Sequence, residues 1–212
     1  MEKNIPFYAN KGGDTHCFQA ALKMVLGYYL PERNFPFSRL DELTGHKEGR
    51  WTYPYKAYIW LAENGFTVTH IEDFSVEDFV EKGEKFLKEV WDPEVYKLQK
   101  QYSDFETARR YAKEAWEKKN IYFKRERGTL ERVIEYANKG CILLVRVNPC
   151  ILRGENGDGS HIVVIKAIEK NKIVIHDPGL PPLEDLVVTP ILFKKAMYQN
   201  NSLVIAVCQT KV

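Results

Sequence analysis

Apolar residues recur at helical spacing from Cys17 to Tyr29, with Ala20, Ala21, Met24, Val25 and Tyr28 on one side, and Pro31 ends the run. Asp14 or Thr15 can cap the start, so Cys17 falls in the first turn, directly after Gly12-Gly13. A second helix is expected from Tyr53-Pro54 to Asn64-Gly65, and Phe66 to Ile71 then alternates like a strand. From Glu72 to Arg127 charged residues dominate, aromatic residues punctuate them and β-branched runs are absent. This stretch reads as a helical insertion or lobe. Thr129 to Asn138 forms another helix that closes at Gly140. The pattern then turns to β at Cys141–Val147, His161–Ile168, Lys172–His176 and Leu203–Cys208, with Thr189-Pro190 opening one more helix before the last strand. Gly154 to Gly159 is the most flexible-looking loop, and it ends immediately before His161.

Helices first and strands last predict an α+β fold, and 212 residues, 44% apolar, suffice for a single domain over 1–212 with one sizeable core. The formal net charge of +2 provides no global field toward nucleic acid or an anionic membrane. Met1 to Pro6 lacks the apolar stretch of a signal peptide, and no run approaches the length that spans a bilayer. A soluble, cytoplasmic protein is expected. Cys17, Cys141, Cys150 and Cys208 lie far apart, without Cys-x-x-Cys pairs, and are expected to be reduced thiols.

A cysteine in the first turn of a helix sees unpaired backbone N–H groups and the positive end of the helix dipole, both of which favour a thiolate. Cys17 is therefore the candidate nucleophile. Cys141 and Cys208 sit in apolar β runs and Cys150 follows Pro149 in a loop, so those three read as packing residues. Thiol hydrolysis also needs a base and a group to orient it. His161 opens a strand beside the glycine-rich loop and can present its ring to a cleft. The orienting group then belongs on the next strand, where register chooses between neighbours. A three-residue loop with Asn171 left-handed sets Asp177 opposite Val163, on the face of His161, whereas a two-residue loop presents His176 there instead. Asp177 suits the chemistry, since a carboxylate accepts an imidazole N–H and stabilises the imidazolium. The Cys17 backbone N–H and the Asn10 side chain are the candidate oxyanion donors.

Three motifs carry a resemblance. Ile5-Pro6-Phe7-Tyr8-Ala9-Asn10 with Asp14-Thr15-His16-Cys17 and Ala20 to Leu26 resembles the N-terminal motif of papain-like cysteine peptidases of the bacteriocin-leader-processing type. Gly159-Ser160-His161-Ile162-Val163-Val164-Ile165 and His176-Asp177-Pro178-Gly179 are similar to that group's histidine and aspartate motifs, in the same order. The resemblance spans nearly the whole chain except its middle region. It implies a papain-like fold in which the Cys17 helix packs on an antiparallel sheet carrying His161 and Asp177, and a peptide or amide substrate. Two departures stand out: Asn10 replaces the family's glutamine with a longer spacing to the cysteine, and Phe18-Gln19 replaces a Gly-Pro pair. The family includes distant members with other substrates, so a deamidase or an acyltransferase on this scaffold is an alternative.

Other function classes compete. His16, Cys17, His161, His176 and Asp177 are all possible metal ligands, but adjacent residues on a helix diverge and no ligand pair has helical i,i+4 spacing, so no metal or organic cofactor is expected. His46 and His70 fall outside any motif and read as surface residues. The Trp51-Thr52-Tyr53-Pro54-Tyr55 cluster could serve a catalytically inactive binding module, although core packing explains it more simply. Arg109-Arg110, Lys118-Lys119 and Lys124-Arg125 with Tyr111, Trp116 and Tyr122 could meet nucleic acid, but Glu106, Glu114, Glu117 and Glu126 interleave and favour a solvated helix face. Oligomeric state is not legible.

Overall fold

The computed structural model describes residues 3–11, 15–198 and 202–210. In chain order the elements are α1 (Cys17–Tyr29), α2 (Phe37–Thr44), α3 (Tyr55–Glu63), β1 (Phe66–Glu72), α4 (Val76–Lys82), α5 (Glu84–Val90), α6 (Pro93–Tyr102), α7 (Phe105–Trp116) and β2 (Ile121–Arg125). Then follow α8 (Leu130–Asn138), β3 (Ile142–Val147), α9 (Pro149–Arg153), β4 (His161–Ile168), β5 (Ile173–Asp177), β6 (Leu183–Val188), α10 (Pro190–Tyr198) and β7 (Val204–Gln209).

The strands form one seven-stranded sheet in the order β2-β1-β7-β3-β4-β5-β6. Neighbours pair antiparallel, except that edge strand β2 lies parallel to β1. Period-two alternation along the strands feeds two apolar layers. Ile142, Leu144, Ile162, Val164 and Ile205 face α1, α3 and the helices of the insertion, whereas Leu143, Val145, Val163, Ile175 and Ala206 face α8 and α10. The Cys17 helix thus lies on one face of the sheet, its Ala20, Ala21, Met24 and Val25 buried and its closest sheet contact on β4.

Several expectations need correction. The middle region contains β2, which escapes a hydrophobic reading because the edge strand buries little beyond Ile121. Thr15 does not cap α1: His16 holds the N-cap position with no side-chain cap bond, and Asp14, like Gly12-Gly13, lies outside the described residues. His70 is buried, hydrogen-bonded to Tyr58 and Glu72, rather than on the surface. Cys141 and Cys208 are not free thiols; they lie side by side at neighbouring ends of β3 and β7 and form a disulfide, leaving Cys17 and Cys150 as the free cysteines. In the aromatic cluster, Tyr55 is core and Tyr53 stacks on it, while Trp51 lies against Tyr102 at the surface. Three of the basic residues of the insertion are engaged within the chain: Arg109 donates to the carbonyls of Val80 and Glu81, Lys118 pairs with Glu63 and Arg125 with Asp78.

The β4–β5 hairpin reaches the expected register by another route. Glu169 N–H bonds Lys172 C=O around a two-residue turn, and Asn171 is not left-handed; Asp185 is the non-glycine residue with positive φ among the described residues. A two-residue turn alone would turn His176 toward the His161 face. An extra residue in β4, Lys166, sits between the Ile165–Ile175 and Ala167–Val174 pairs, and this bulge restores the parity so that Val164 faces His176.

Candidate functional site

Cys17 is the first residue of α1, where its N–H has no intrahelical acceptor, and it is half-buried against the sheet. His161 is the first residue of β4, opposite Val147, and Asp177 is the last residue of β5. Helix start and two strand ends therefore converge. His161 Nε2 lies 2.7 Å from Asp177 Oδ1, and the Cys17 side chain lies within electrostatic reach of the same ring, for which Nδ1 is the remaining nitrogen.

The electrostatics of the three groups are interlocked. Burial works against an imidazolium at His161, but the hydrogen bond it donates to the Asp177 carboxylate and the electrostatic influence of Asp177 and Cys17 outweigh it, raising its pKa to about 10. Burial likewise opposes ionisation of Asp177, yet His161, the Gly179 N–H and Arg153 hold its carboxyl below the usual aspartate range. Asp177 is fully buried, so each of these donors counts. Oδ1 accepts from His161 and from Gly179 N–H at 2.8 Å, and Oδ2 accepts from Arg153 Nη2 at 3.2 Å.

Arg153 escapes the sequence reading. It ends α9, a helix opened by Asn148 as N-cap and Pro149 at the first position and closed by left-handed Gly154. That cap-Pro-Gly signature was available in the sequence, but Pro149-Cys150 reads as a loop without it. Arg153 also donates to the carbonyls of Leu180, at 2.9 Å, and Pro181, at 3.3 Å, so it ties the segment after Asp177 to α9. Gly179 has no space for a side chain: a Cβ there would lie 2.8 Å from Asp177 Oδ1, 3.0 Å from Arg153 Nη2 and 3.1 Å from His161 Nε2. Asn148, fully buried, bonds the Gly157 carbonyl and Asp158 and so anchors the glycine-rich loop that leads into His161.

Asn10 is buried beside this group. Its N–H donates to the Pro178 carbonyl at 2.8 Å, which pins the approach segment to the Asp177-Pro178-Gly179 turn. His176 is turned away, its Nε2 on the Ile5 carbonyl and its Nδ1 accepting from Asp185 N–H. Cys150 stays apart from the pair, packed under Gly157. Cys17, His161 and Asp177 thus stand together, Asn10 stands next to them, and His176 serves the fold.

The peptidase domain of Streptococcus ComA, a bifunctional ABC transporter involved in a quorum-sensing pathway, superposes with a TM-score of 0.51 over 93% of this chain and 96% of that one, at 12% identity. The fold is papain-like. A C39-like peptidase candidate from Bacillus anthracis superposes with a TM-score of 0.48 over 98% of this chain and 96% of that one, at 15% identity. No family model and no curated protein matches the sequence. Both structures are described as peptidases, and each shares few residues with this chain. Among the described residues no helix is long and apolar enough to cross a membrane.

Proposed function

We propose that the chain is a cysteine hydrolase of peptide or amide bonds, with Cys17 as nucleophile, His161 as base and acid, and Asp177 as the group that orients His161. The observation that supports this most is the His161 ring, hydrogen-bonded to the buried Asp177 carboxylate and within electrostatic reach of the Cys17 side chain. The Cys17 thiolate attacks the carbonyl carbon, and the oxyanion is met by the Cys17 N–H with Asn10 beside it. The C–N bond breaks as the His161 imidazolium gives its proton to the leaving amine, leaving a thioester. Neutral His161 then takes a proton from water, whose oxygen attacks the thioester; the acid is released and the thiolate returns. An amine in place of water would give acyl transfer.

In this reading residues 1–212 form one domain, and 72–127 is a lobe that selects substrate. The same reading puts the enzyme in the cytoplasm. The redox state of Cys141 and Cys208 in cells tests that location, because a persistent bond argues for an oxidising compartment.

Iodoacetamide alkylation followed at Cys17 and Cys150 by mass spectrometry, in wild type and His161→Ala, tests the mechanism, followed by a peptide and amide screen against Cys17→Ala. Faster reaction at Cys17 than at Cys150, lost in His161→Ala, is the expected result. Equal reactivity of the two thiols would overturn the nucleophile assignment and leave a binding role for the scaffold.

A further inference from the structure

Beside the Cys17 turn, three side chains from separate positions converge. His16 is the N-cap of α1, Asp41 lies in α2, and His46 follows the Gly45 cap of α2. One ligand atom from each lies within 4.8 Å of the other two. The placement is fixed by the backbone: Gly45 is left-handed, and the His46 N–H donates to the Asp41 carbonyl at 2.9 Å, which turns His46 back over α2. The rings of His16 and His46 lie 4.2 Å apart between centroids.

We infer that His16, Asp41 and His46 bind one divalent transition-metal ion, best matched by zinc, which braces the turn presenting Cys17. Two imidazoles with a carboxylate suit zinc and its neighbours rather than calcium or magnesium, which prefer all-oxygen shells. His16 Nε2 and Asp41 Oδ1 are 3.2 Å apart, close to the separation of about 3.3 Å that tetrahedral geometry gives two ligands with bonds of about 2.0–2.1 Å. Asp41 Oδ1 is buried with no well-aligned hydrogen bond, and its near neighbour is His16 Nε2, the atom with which it would share the ion.

The outer ring nitrogens are arranged as metal-bound imidazoles require. His16 Nδ1 lies 3.3 Å from Thr15 Oγ1 and His46 Nδ1 lies 3.0 Å from Thr52 Oγ1, which leaves Nε2 of both rings for the ion. Thr52 is itself held by Gln19 Nε2 at 3.0 Å, and Gln19 bonds Thr44 at 3.1 Å. The supporting shell therefore runs from the metal ligands back into α1, two residues beyond Cys17. Three protein ligands leave a fourth tetrahedral position for water.

The test is a zinc titration of the chelator-treated full chain by calorimetry and by competition with a chromogenic chelator, with thermal melts alongside. One zinc per chain and a raised Tm are expected in wild type and equally in Cys17→Ala, which separates this site from thiol-bound zinc and from the hydrolase reading. His46→Ala and Asp41→Asn, each checked for a native circular dichroism spectrum, should lose stoichiometric binding, and Thr52→Val should weaken it by about 10–100-fold. Cobalt(II) should give a four-coordinate visible spectrum without a sulfur charge-transfer band. No stoichiometric zinc, zinc retained undiminished in both ligand variants, or zinc lost in Cys17→Ala would overturn the assignment.

Discussion

Lys166 and Asp185 sit at the bulges of two different strands and meet across a third: Lys166 Nζ lies 2.7 Å from both carboxylate oxygens of Asp185. Lys166 is the extra residue of β4, and β6 carries its own extra residue between the Ile175–Leu186 and Asp177–Leu183 pairs, where Asp185 has a φ of 55°. The ion pair joins the two irregularities on either side of β5. The β4 bulge is what brings Asp177, rather than His176, to the side of His161.

Deleting Lys166 should therefore abolish the rapid alkylation of Cys17 and any hydrolysis, because the two-residue turn would then govern the register up to His161. Lys166→Ala keeps the extra residue and removes a partly exposed ion pair, so it should cost no more than about 1 kcal/mol in a urea melt and leave alkylation intact. A deletion variant that keeps fast alkylation at Cys17 contradicts this account of the register.

The contrast between what the sequence reveals and what it hides follows from range. α1 is legible from Cys17 to Tyr29 because its apolar stripe is dense and Pro31 follows, and β4 is legible from His161 to Ile168 because nearly all of it is buried. Edge strands β2 and β6 are not, since they bury few side chains and carry no alternation. Cys17, His161 and Asp177 could be nominated from local context, and the structure brings them together. Arg153 could not, because its value lies in a partner on another element, and a bulge at a lysine has no local signature. The disulfide was hidden for the same reason: pairing of β3 with β7 across a separation of 67 residues is a tertiary fact.

Gly179→Ala should inactivate without unfolding. The added methyl must displace Asp177 Oδ1, the Arg153 guanidinium or the His161 ring, all within 3.1 Å of it. A shift of about 1 Å in the ring would cost on the order of 10²-fold in kcat/KM. The check is kcat/KM, or the Cys17 alkylation rate until a substrate is found, together with Tm; unchanged rates would show that the turn yields elsewhere.

Protonation of the site should shape stability against pH. The His161 pKa is raised to about 10, so its contribution is complete below the ordinary histidine value of 6.5 and disappears as pH climbs through about 10. Asp177 has a lowered pKa, so its contribution is complete above 3.8 and is lost on acidification below that value. The difference in Tm between wild type and His161→Ala should be largest between these limits and shrink toward pH 10. In Cys17→Ala, which lacks one of the groups that raise His161, the alkaline loss should begin at lower pH. A difference independent of pH would remove the charged pair from the account.

Reduction should destabilise the fold while leaving the nucleophile intact. The Cys141–Cys208 bond closes a loop spanning 67 positions and joins β3 to β7 at the centre of the sheet, which suggests a contribution of roughly 2–4 kcal/mol. Urea melts with and without dithiothreitol should differ by that amount in wild type and coincide in a Cys141→Ala, Cys208→Ala double variant. Identical wild-type melts would mean that the bond constrains little.

At the end of the sheet that carries His161, Glu72 of β1 joins β3 and α3. Its Oε2 lies 3.1 Å from His70 Nε2, its Oε1 is paired with Arg146 from β3, and His70 Nδ1 reaches Tyr58 Oη of α3 at 3.0 Å. Burial opposes the Glu72 charge, but Arg146 and His70 overcome it and lower its pKa to about 2. Its contribution is therefore complete above about 4.5 and is lost as pH falls toward 2. Glu72→Gln removes the countercharge from a partly buried guanidinium and should cost about 1–3 kcal/mol at neutral pH. The loss should fade in acid as wild-type Glu72 itself protonates. Equal urea midpoints for the two proteins at pH 7 would mean that apolar packing of Tyr55, Tyr58 and Phe123 around His70, and not the ion pair, holds β1 to α3.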